Sequence, residues 1–563
     1  MRPQILIELA LLLILGTIIG FVMAIMANGF VEGVSSAANL RQSYGLFQFT
    51  VAGKTYSAMS LFTLLIAASV VIALRRTLKL DGWAGPADSI LAAHTDSSDV
   101  DVKKGLASTL AAFTSAAGGG SVGQYGPLVH FGATVGSLFK KVGVAKISGD
   151  VFLGCGVAAA ISAGFNAPLA GVIFAHEAVL RHFSLRAVAP IFVASISASS
   201  FDQQFFPSNE STFQTVSNAP PLIQSVPYLI ISGILFAGLA LVFMLALRYA
   251  TSAGKKIQSK NIEAPIVAAI VCGTIGIFVP EILGIGIGVV NDLFQGSFSG
   301  GYIALMLALK ITMTAMCIGF GLFGGVFSPA LFIGVSAGAI VSIILSFSPI
   351  AGFNQVMLIA GMAAVSSSVI GAPISVILIV LELTGSYDYA VSAMVAVIVS
   401  SLITHRVFGL SYFDRQLKDR GVDMSLGRED IQLSRTLLRD FISQDCITAD
   451  ASDLGVELRK RMSKMQMTEA YILGRDQVLL GKVDIFGAQK AEANPIATEL
   501  IKDPLILKDT DSLKVALLSI ESFVGESVPI VNENGVFLGM LTEGMLFSAA
   551  SSVKAAITKL EKE

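Results

Sequence analysis

The chain carries little charge for its length. Only 14% of its 563 residues are Asp, Glu, Lys or Arg, whereas an average soluble domain carries about 25%. The formal net charge is −2, so the chain lacks the basic excess of nucleic-acid-binding proteins and we expect no nucleic-acid partner. Hydrophobic residues make up 54% of the chain and the mean hydropathy is +0.74, which indicates a protein that resides in a membrane.

Residue types that often act in catalysis or metal binding are also scarce. The chain has 5 His, 4 Cys and 1 Trp. The cysteines are scattered singly, at Cys155, Cys272, Cys317 and Cys446, which excludes a disulfide framework and a cysteine-based metal site. Because the sequence shows no Ser/His/Asp set, no metal cluster and no phosphate loop, we expect neither an enzyme nor a metal protein.

The charges are unevenly distributed along the chain. They are sparse from Ile5 to Phe408 and dense from Asp414 to Glu563. This shift predicts a membrane domain over residues 1–413, a linker over 414–441 and a soluble region after it. Several apolar runs in the first part are cut short by Gly and Pro. A spanning helix needs about 20 residues, so these runs predict broken helices that line a cavity or lie buried in protein.

Two distant stretches share one pattern, in which glycines and a proline precede an apolar run. Gly-Gln-Tyr-Gly-Pro ends at Pro127, and Gly-Val-Phe-Ser-Pro ends at Pro329. Glycine lets a backbone approach a ligand closely, and proline is favoured in the first turn of a helix. Free N–H groups and the positive end of the helix dipole bind anions there, so the pattern predicts two anion-binding turns within the membrane.

A second motif follows each of the first two. Residues 164–171 and 368–375 both contain Ala-Pro, which comes about 40 to 45 residues after the first proline in each case. An apolar run with a single glutamate follows, carrying Glu177 in one case and Glu382 in the other. Because order and spacing repeat together, we expect two structurally related halves, as in transporters built from inverted repeats.

These motifs resemble those of the chloride channel and transporter (ClC) family. The resemblance is carried by residues 123–127, 164–177, 324–329, 371–387 and 411–413, and it extends over almost the whole chain. It implies an all-α polytopic membrane domain of two inverted repeats with broken helices. It also implies a homodimer in the lipid bilayer of the cell membrane, with chloride as the small inorganic anion.

The resemblance also assigns anion-binding residues by position. Backbone N–H groups of Val326 and Phe327 would hold a central anion. Those around Gln124, Tyr125 and Gly126 would form an outer site, with the Tyr125 side chain as its gate. Such neutral donors can replace water around an anion without binding it too tightly to leave.

Two further aromatic residues are assigned in the same way. The hydroxyl of Tyr412 would donate to the anion from the cytoplasmic side. The family's Gly-Ser-Gly-Ile-Pro motif has its nearest match at residues 82–86, which puts Trp83 at the serine position on the margin of the filter. An aromatic anchor at the membrane interface is the alternative for both residues. For Trp83, a shifted loop with a backbone N–H in the serine's role is a further alternative.

The chain departs from the family at two positions that carry protons in its coupled members. Tyr125 stands at the gating glutamate, and a phenol with a reference pKa of about 10 is a poor proton carrier. Ala178 stands at the inner proton glutamate. His176 and Glu177 are the nearby substitutes for a proton path, although a structural, hydrogen-bonded carboxylate is the alternative for Glu177. We therefore expect passive, channel-like chloride conduction without proton coupling.

Two other functions remain open from the sequence. The first is an anion/proton antiporter that uses His176 or Glu177 as a substitute acid. The second is a membrane-bound sensor in which the soluble tail detects a ligand and transport is vestigial.

The soluble tail contains two similar units, at residues 442–490 and 505–553. Each combines a short extended run, an amphipathic helix and two β-like stretches, which resembles a cytoplasmic α/β pair of CBS domains. Such pairs often bind adenosine nucleotides. The usual ribose-binding pattern is imperfect here, because Asp484 replaces its Thr in the first unit and no Asp follows Thr542 in the second. Dimerisation or a gating contact is the alternative role, and we expect no other cofactor.

Overall fold

The computed structural model describes the backbone of residues 3–562 except 44–46, 52–53, 96–98, 142–147, 184, 207–219, 347–352, 425, 427, 502–503 and 522. The chain divides into two compact units, Met1–Arg420 and Gly421–Glu563. The division falls slightly beyond residue 413 because the short helix Tyr412–Lys418 packs within the first unit. Part of the predicted linker is therefore helical.

The described part of the first unit is almost entirely helical. Its helices are α1 (Pro3–Ser43), α2 (Met59–Thr77), α3 (Pro86–Ala93), α4 (Val102–Ala117), α5 (Tyr125–Lys141), α6 (Gly149–Phe165), α7 (Pro168–Phe174), α8 (Leu185–Phe205), α9 (Leu222–Gln258), α10 (Ala264–Phe278), α11 (Ile287–Phe294), α12 (Gly300–Gly319), α13 (Phe327–Leu345), α14 (Phe353–Ile370), α15 (Pro373–Thr384), α16 (Tyr387–Val407) and α17 (Tyr412–Lys418). An antiparallel hairpin of β1 (Gln48–Val51) and β2 (Lys54–Ser57) joins α1 to α2. A π-helical turn, Ala175–Leu180, continues α7.

Membrane-spanning length is present in only some of these helices. Within the described residues, six helical segments are long and apolar enough to cross a bilayer: Ala10–Arg41, Met59–Thr77, Leu222–Gln258, Gly300–Gly319, Phe327–Leu345 and Tyr387–Lys418. Other apolar helices, such as α6, α10 and α15, are shorter. The prediction of a mostly helical, multi-pass membrane domain is confirmed.

The helices that follow the two glycine–proline motifs pack in the same way. Where α5 packs on α6, a Cβ on Gly132 would lie 2.2 Å from the carbonyl oxygen of Gly156. Where α13 packs on α14, a Cβ on Gly334 would lie 2.3 Å from the carbonyl oxygen of Gly361. Such contacts admit only glycine, and small residues serve the same purpose between membrane helices generally. In both halves, the helix that begins at the glycine–proline motif therefore packs against the next helix through an equally close backbone contact.

The second unit contains one arrangement twice, after the helix α18 (Arg428–Arg435). The first copy consists of β3 (Ile447–Asp450), α19 (Gly455–Met465), β4 (Glu469–Leu473), β5 (Leu479–Asp484) and α20 (Ile485–Ala491), and the second of β6 (Leu507–Lys508), α21 (Leu513–Ser519), β7 (Ser527–Val531), β8 (Phe537–Thr542) and α22 (Glu543–Lys562). In each copy the first strand pairs parallel with the second, and the third pairs antiparallel with it. Each sheet has its own apolar core.

Candidate functional site

The two glycine–proline motifs meet each other in the first unit. The amide of Gly123 donates to the carbonyl of Gly325 at 2.7 Å, and the amide of Gly325 donates back to the carbonyl of Gly123 at 2.6 Å. Helix α5 begins at Tyr125 and α13 at Phe327, each two residues after this bridge. The bridge therefore brings the starts of both helices side by side.

Glycine is required at the bridge because the loops touch through their backbones. A Cβ on Gly123 would lie 2.7 Å from the Gly325 carbonyl oxygen, and one on Gly325 would lie 2.7 Å from the Gly126 nitrogen. A third helix start adjoins them, since a Cβ on Gly126 would lie 3.5 Å from Pro86, the first residue of α3. The start of α3 is capped by Asp88, which accepts from the Gly85 amide, whereas no side chain caps α13.

Several polar groups at these helix starts have no partner within the described part of the chain. They include the hydroxyl of Ser328, a residue that is 3% exposed, and the buried side chain of Gln124 lies beside it on the facing loop. The amides of Val326 and Phe327 lie at the N-terminus of α13, where no carbonyl of the same helix can accept them. Buried polar groups without partners are costly, so this arrangement fits a small ligand that accepts hydrogen bonds. We refer to Gln124, Val326, Phe327 and Ser328 as the anion seat.

Three aromatic rings form a cluster next to the anion seat. The Tyr125 ring stacks on Phe165 with centroids 3.6 Å apart, and it meets Phe327 edge to face at 5.8 Å. Phe165 and Phe327 are themselves 5.1 Å apart. Tyr125 is 4% exposed, so its ring is buried within this group, and its role as the gate stays a prediction.

The two other aromatic candidates lie in different places. The Trp83 indole N–H donates to the carbonyl of Gly321 at 3.3 Å, so its one donor is used by the second glycine-rich loop. Tyr412 is buried at the start of α17, with its ring 6.0 Å from that of Phe413. The preceding Ser411 packs against Gly371, where a Cβ would lie 2.6 Å from the Ser411 Cβ. Among the described ring contacts, neither residue joins the Tyr125 group.

The two repeated glutamates each bind a helix start in the opposite half. Glu177 accepts from the amides of Ile374 and Ser375 at 3.0 and 2.7 Å, and from the Ser375 hydroxyl at 2.6 Å. Glu382 accepts from the amides of Leu169 and Ala170, both at 2.8 Å. Each carboxylate thus neutralises the positive start of a short helix, which supports a structural role for Glu177.

His176 lies on the π-helical turn beside Glu177. Its Nδ1 donates to the carbonyl of His182 at 2.8 Å, and its ring stacks on Phe183 at 4.8 Å. His176 is 1% exposed, and its Nε2 has no partner among the described residues. Such π-helical insertions are frequent at functional sites. The open ring nitrogen can therefore accept a proton inside the unit.

A family model described as voltage gated chloride channel matches residues 64–405. The chain belongs to this family. It is 28% identical over 332 residues to a putative chloride channel protein, ClcB-like, of Ralstonia nicotianae, covering 56% of this chain and 76% of that protein. It is 27% identical over 321 residues to the H(+)/Cl(−) exchange transporter ClcA of Vibrio campbellii, covering 54% and 68%.

A solved structure shares the ClC fold with this chain. The crystal structure of a slow cyanobacterial Cl−/H+ antiporter superposes with a TM-score of 0.63 at 20% identity, and the match covers 73% of this chain and 97% of the antiporter. The span of the family model, residues 64–405, includes the helix starts described above.

The prediction of passive conduction without proton coupling is wrong. It is overturned by the ClC proteins that the chain resembles, because the Vibrio relative and the cyanobacterial structure are both named as chloride/proton exchangers. The prediction treated a carboxylate at the places of Tyr125 and Ala178 as indispensable for moving protons. Buried histidines with an open ring nitrogen lie elsewhere in the same unit, at His130 and His176.

One charged residue of this ClC unit was missed in the sequence. Lys310 on α12 is fully buried, and its Nζ donates to the carbonyls of Ile282 and Gly284, both at 3.0 Å. The Gly284 amide in turn donates to the Gly119 carbonyl at 3.1 Å, which fastens this turn to the first glycine-rich loop. A lone lysine within an apolar run was the available signal, because intramembrane charges are costly and usually functional.

Proposed function

We propose that the first unit exchanges small anions, chloride foremost, for protons across the cell membrane. The observation that carries this proposal is the bridge between Gly123 and Gly325, which sets two helix starts beside the unpartnered hydroxyl of Ser328. Neutral donors at helix starts suit a dehydrated halide that must also leave. The exchangers among the ClC relatives support the coupled form over simple conduction.

In this proposal the anion binds to the seat through backbone and side-chain donors together. The amides of Val326 and Phe327 hold it from α13, and the Gln124 amide and Ser328 hydroxyl complete its shell. Tyr125 gates the site by rotating its ring off Phe165, which exposes the amides of residues 124–126. The Tyr412 hydroxyl donates to the anion from the cytoplasmic side. Trp83 shapes the margin of the filter, because its indole N–H holds the loop at the Gly321 carbonyl.

The proton uses a histidine rather than a carboxylate in this proposal. His176 donates from Nδ1 to the His182 carbonyl, so its Nε2 is the nitrogen that binds and releases the proton. Glu177 is occupied by three hydrogen bonds to α15 and holds the halves together. This assigns to His176 the role that the family's inner glutamate has at the position of Ala178.

We further propose that the second unit is a cytoplasmic tandem CBS-domain pair that regulates exchange in a homodimer. The repeated strand–helix–strand–strand–helix order supports this assignment. Asp484, at the place of the ribose-binding residue, caps α20 by accepting from the Gly487 amide at 2.7 Å. Because that bond occupies one oxygen of the Asp484 carboxylate, we propose a regulatory role for this pair that does not depend on adenosine nucleotide binding.

Flux through liposomes tests the exchange function. With the full chain in liposomes and voltage clamped by a potassium ionophore, an outward chloride gradient should drive protons inward against their own gradient. Chloride release without any proton movement would defeat the proposal. Fluoride and nitrate in place of chloride would then rank the anions.

A histidine variant separates the proton path from the anion path in the same assay. His176→Gln should lower proton flux about tenfold or more, since an amide cannot titrate, with a smaller loss of chloride flux. His405→Gln is the matched control, because His405 lies exposed in the last turn of α16. Equal losses in both variants would remove His176 from the path.

A further inference from the structure

An ion pair joins the helix that begins at Tyr412 to the π-helical turn that carries His176. The Arg181 guanidinium donates to the Asp414 carboxylate. Arg181 directly follows the π-helical turn Ala175–Leu180, and Asp414 lies in the first turn of α17. The two side chains are only 20% and 11% exposed. Because water screens such a pair weakly, each charge holds the other in place more firmly than in a surface pair.

The Asp414 carboxylate also fixes the first turn of α17. Its second oxygen accepts from the Ser411 hydroxyl at 2.6 Å, and that hydroxyl accepts from the Asp414 amide at 3.1 Å. Tyr412 lies between these two residues in the chain and is 3% exposed. A displacement of the Asp414 carboxylate therefore moves the backbone that carries Tyr412.

The backbone of Arg181 is bound to the π-helical turn. Its amide donates to the His176 carbonyl at 2.8 Å. Its φ is +58°, in the left-handed region that favours glycine, so the surrounding contacts hold this arginine in place. The next residue, His182, accepts from the Nδ1 of His176 through its carbonyl at 2.8 Å. A displacement of Arg181 therefore disturbs both the backbone and the ring of His176.

We propose that the Arg181–Asp414 ion pair couples anion binding at Tyr412 to proton binding at His176. The inference rests on the exchange function proposed above, in which these two residues serve the anion and the proton. Arg181 and Asp414 act as positioning residues. A shift of Tyr412 on anion binding passes through the Asp414 carboxylate to Arg181, and through the Arg181 amide to His176. Coupling between binding sites is reciprocal, so a change at His176 alters anion affinity at Tyr412 to the same extent.

A second ion pair on α17 provides the matched control. Arg248 of α9 donates through two nitrogens to the carboxylate of Asp419, both at 3.2 Å, at the other end of α17. These side chains are 37% and 45% exposed. Within the described part of the chain, neither residue bonds to the π-helical turn. Arg248→Gln therefore loosens α17 without breaking the link to His176.

A double-mutant cycle on chloride binding tests the link to the anion, and it does not depend on transport. Calorimetry on the purified full chain should show that Tyr412→Phe and Arg181→Gln each weaken binding about threefold to tenfold. Together they should weaken it little more than either alone, because the displaced helix start has already lost the hydroxyl contact. Arg248→Gln combined with Tyr412→Phe should be additive. Additive losses in both cycles would overturn the proposal.

Flux through liposomes tests the link to the proton. Arg181→Gln should lower the ratio of protons to anions about threefold or more, and Arg248→Gln should leave it unchanged. Arg181→Lys should restore part of the ratio, since an ammonium also pairs with Asp414. A wild-type ratio in Arg181→Gln would overturn the proposal. If that variant does not fold, Asp414→Asn decides on the same criterion, because an amide oxygen still accepts from Ser411.

The two measurements separate this coupling from the exchange function itself. If the unmodified chain exchanges protons and Arg181→Gln does so at the same ratio, the coupling fails and the exchange function stands. If the unmodified chain moves no protons, the exchange function fails together with the link to His176. A non-additive binding cycle would then still support the link between Arg181 and Tyr412.

Discussion

The two units both bury polar side chains, but they complete the hydrogen bonding of those side chains differently. In the second unit Glu469 accepts from Lys482 at 2.7 Å, from the Ser527 amide at 3.0 Å and from the Ser527 hydroxyl at 2.7 Å. Tyr471 adds a hydrogen bond to Ser527. We refer to these four residues as the repeat-joining cluster, because Glu469 and Ser527 belong to different copies of the repeat.

The anion seat of the first unit is the opposite case. Ser328 is as deeply buried as Lys482, at 3% and 4% exposed, yet its hydroxyl lacks a partner among the described residues. A polar group that its own chain satisfies contributes to the fold, whereas one left open costs stability until a ligand arrives. The contrast supports a structural role for the repeat-joining cluster and the proposed binding role for the anion seat.

The largest expected effect comes from separating the two helix starts at the seat. In Gly325→Ala the new Cβ would lie 2.7 Å from the Gly126 nitrogen, so the bridged loops must move apart. We expect anion flux to fall about a hundredfold, because small misplacements of binding groups have such effects. Gly238→Ala on α9 is the control, since a Cβ there meets no atom within 4 Å. Normal flux in Gly325→Ala would show that the bridge does not form the seat.

Breaking the repeat-joining cluster should destabilise the second unit without changing the anion seat. Lys482→Met leaves the Glu469 carboxylate buried without its cation, which should lower the free energy of local unfolding by about 3–5 kcal/mol. Hydrogen exchange of the full chain measures this in β4 and β7. Lys490→Met, which breaks a surface pair with Glu499 at 2.8 Å, should cost less than about 1 kcal/mol. Equal exchange in both variants would contradict the comparison.

The same cluster predicts a pH dependence for the stability of the second unit. Burial alone raises the pKa of Glu469, but hydrogen bonds from Lys482 and Ser527 outweigh it and hold the pKa below 4.5. A lowered carboxylate pKa contributes stability above pH 4.5 that is lost as the pH falls through the folded-state pKa. Exchange in β4 and β7, corrected for intrinsic rates, should accelerate below that pH. Constant protection there would argue against the ion pair.

The smallest expected effect comes from removing a single hydroxyl of the anion seat. Ser328→Ala removes one unpartnered donor, which should weaken chloride binding about threefold to tenfold. Ser336→Ala is a matched control, because Ser336 lies on the same helix, is equally buried and also has an unpartnered hydroxyl. If both substitutions weaken binding alike, the effect reflects the interior of α13 in general and not the seat.

Much of the fold could be predicted from local chemistry. The order of an extended run, a helix and two β-stretches, predicted for residues 442–490 and 505–553, is observed in both copies, and Ser512 caps α21 by accepting from the Val515 amide. The glycine–proline motifs correctly indicated helices that begin near Pro127 and Pro329. These features depend on residues that are close in sequence, so a short segment of sequence is enough to predict each of them.

The site was less predictable because partners come from distant segments. Phe165 belongs to a motif noted for its proline, and nothing local indicates that its ring stacks on Tyr125. The ion pair between Arg181 and Asp414 joins residues 233 positions apart. The prediction of uncoupled conduction rested on two aligned positions, Tyr125 and Ala178, and gave less weight to the nearby His176, whose buried surroundings only the fold reveals.

The sequence by itself determined that this chain enters a membrane, that its two halves repeat one order of motifs, and that helices begin after its paired glycines and prolines. Hydrophobicity and backbone conformational preference are local properties, so no tertiary information is needed for them. Only the tertiary structure decided that Gly123 and Gly325 bond to each other, that each repeated glutamate serves the other half, and which buried polar atoms remain open. Whether a buried polar group has a hydrogen-bond partner depends on every residue packed around it, and only the complete fold brings those residues together.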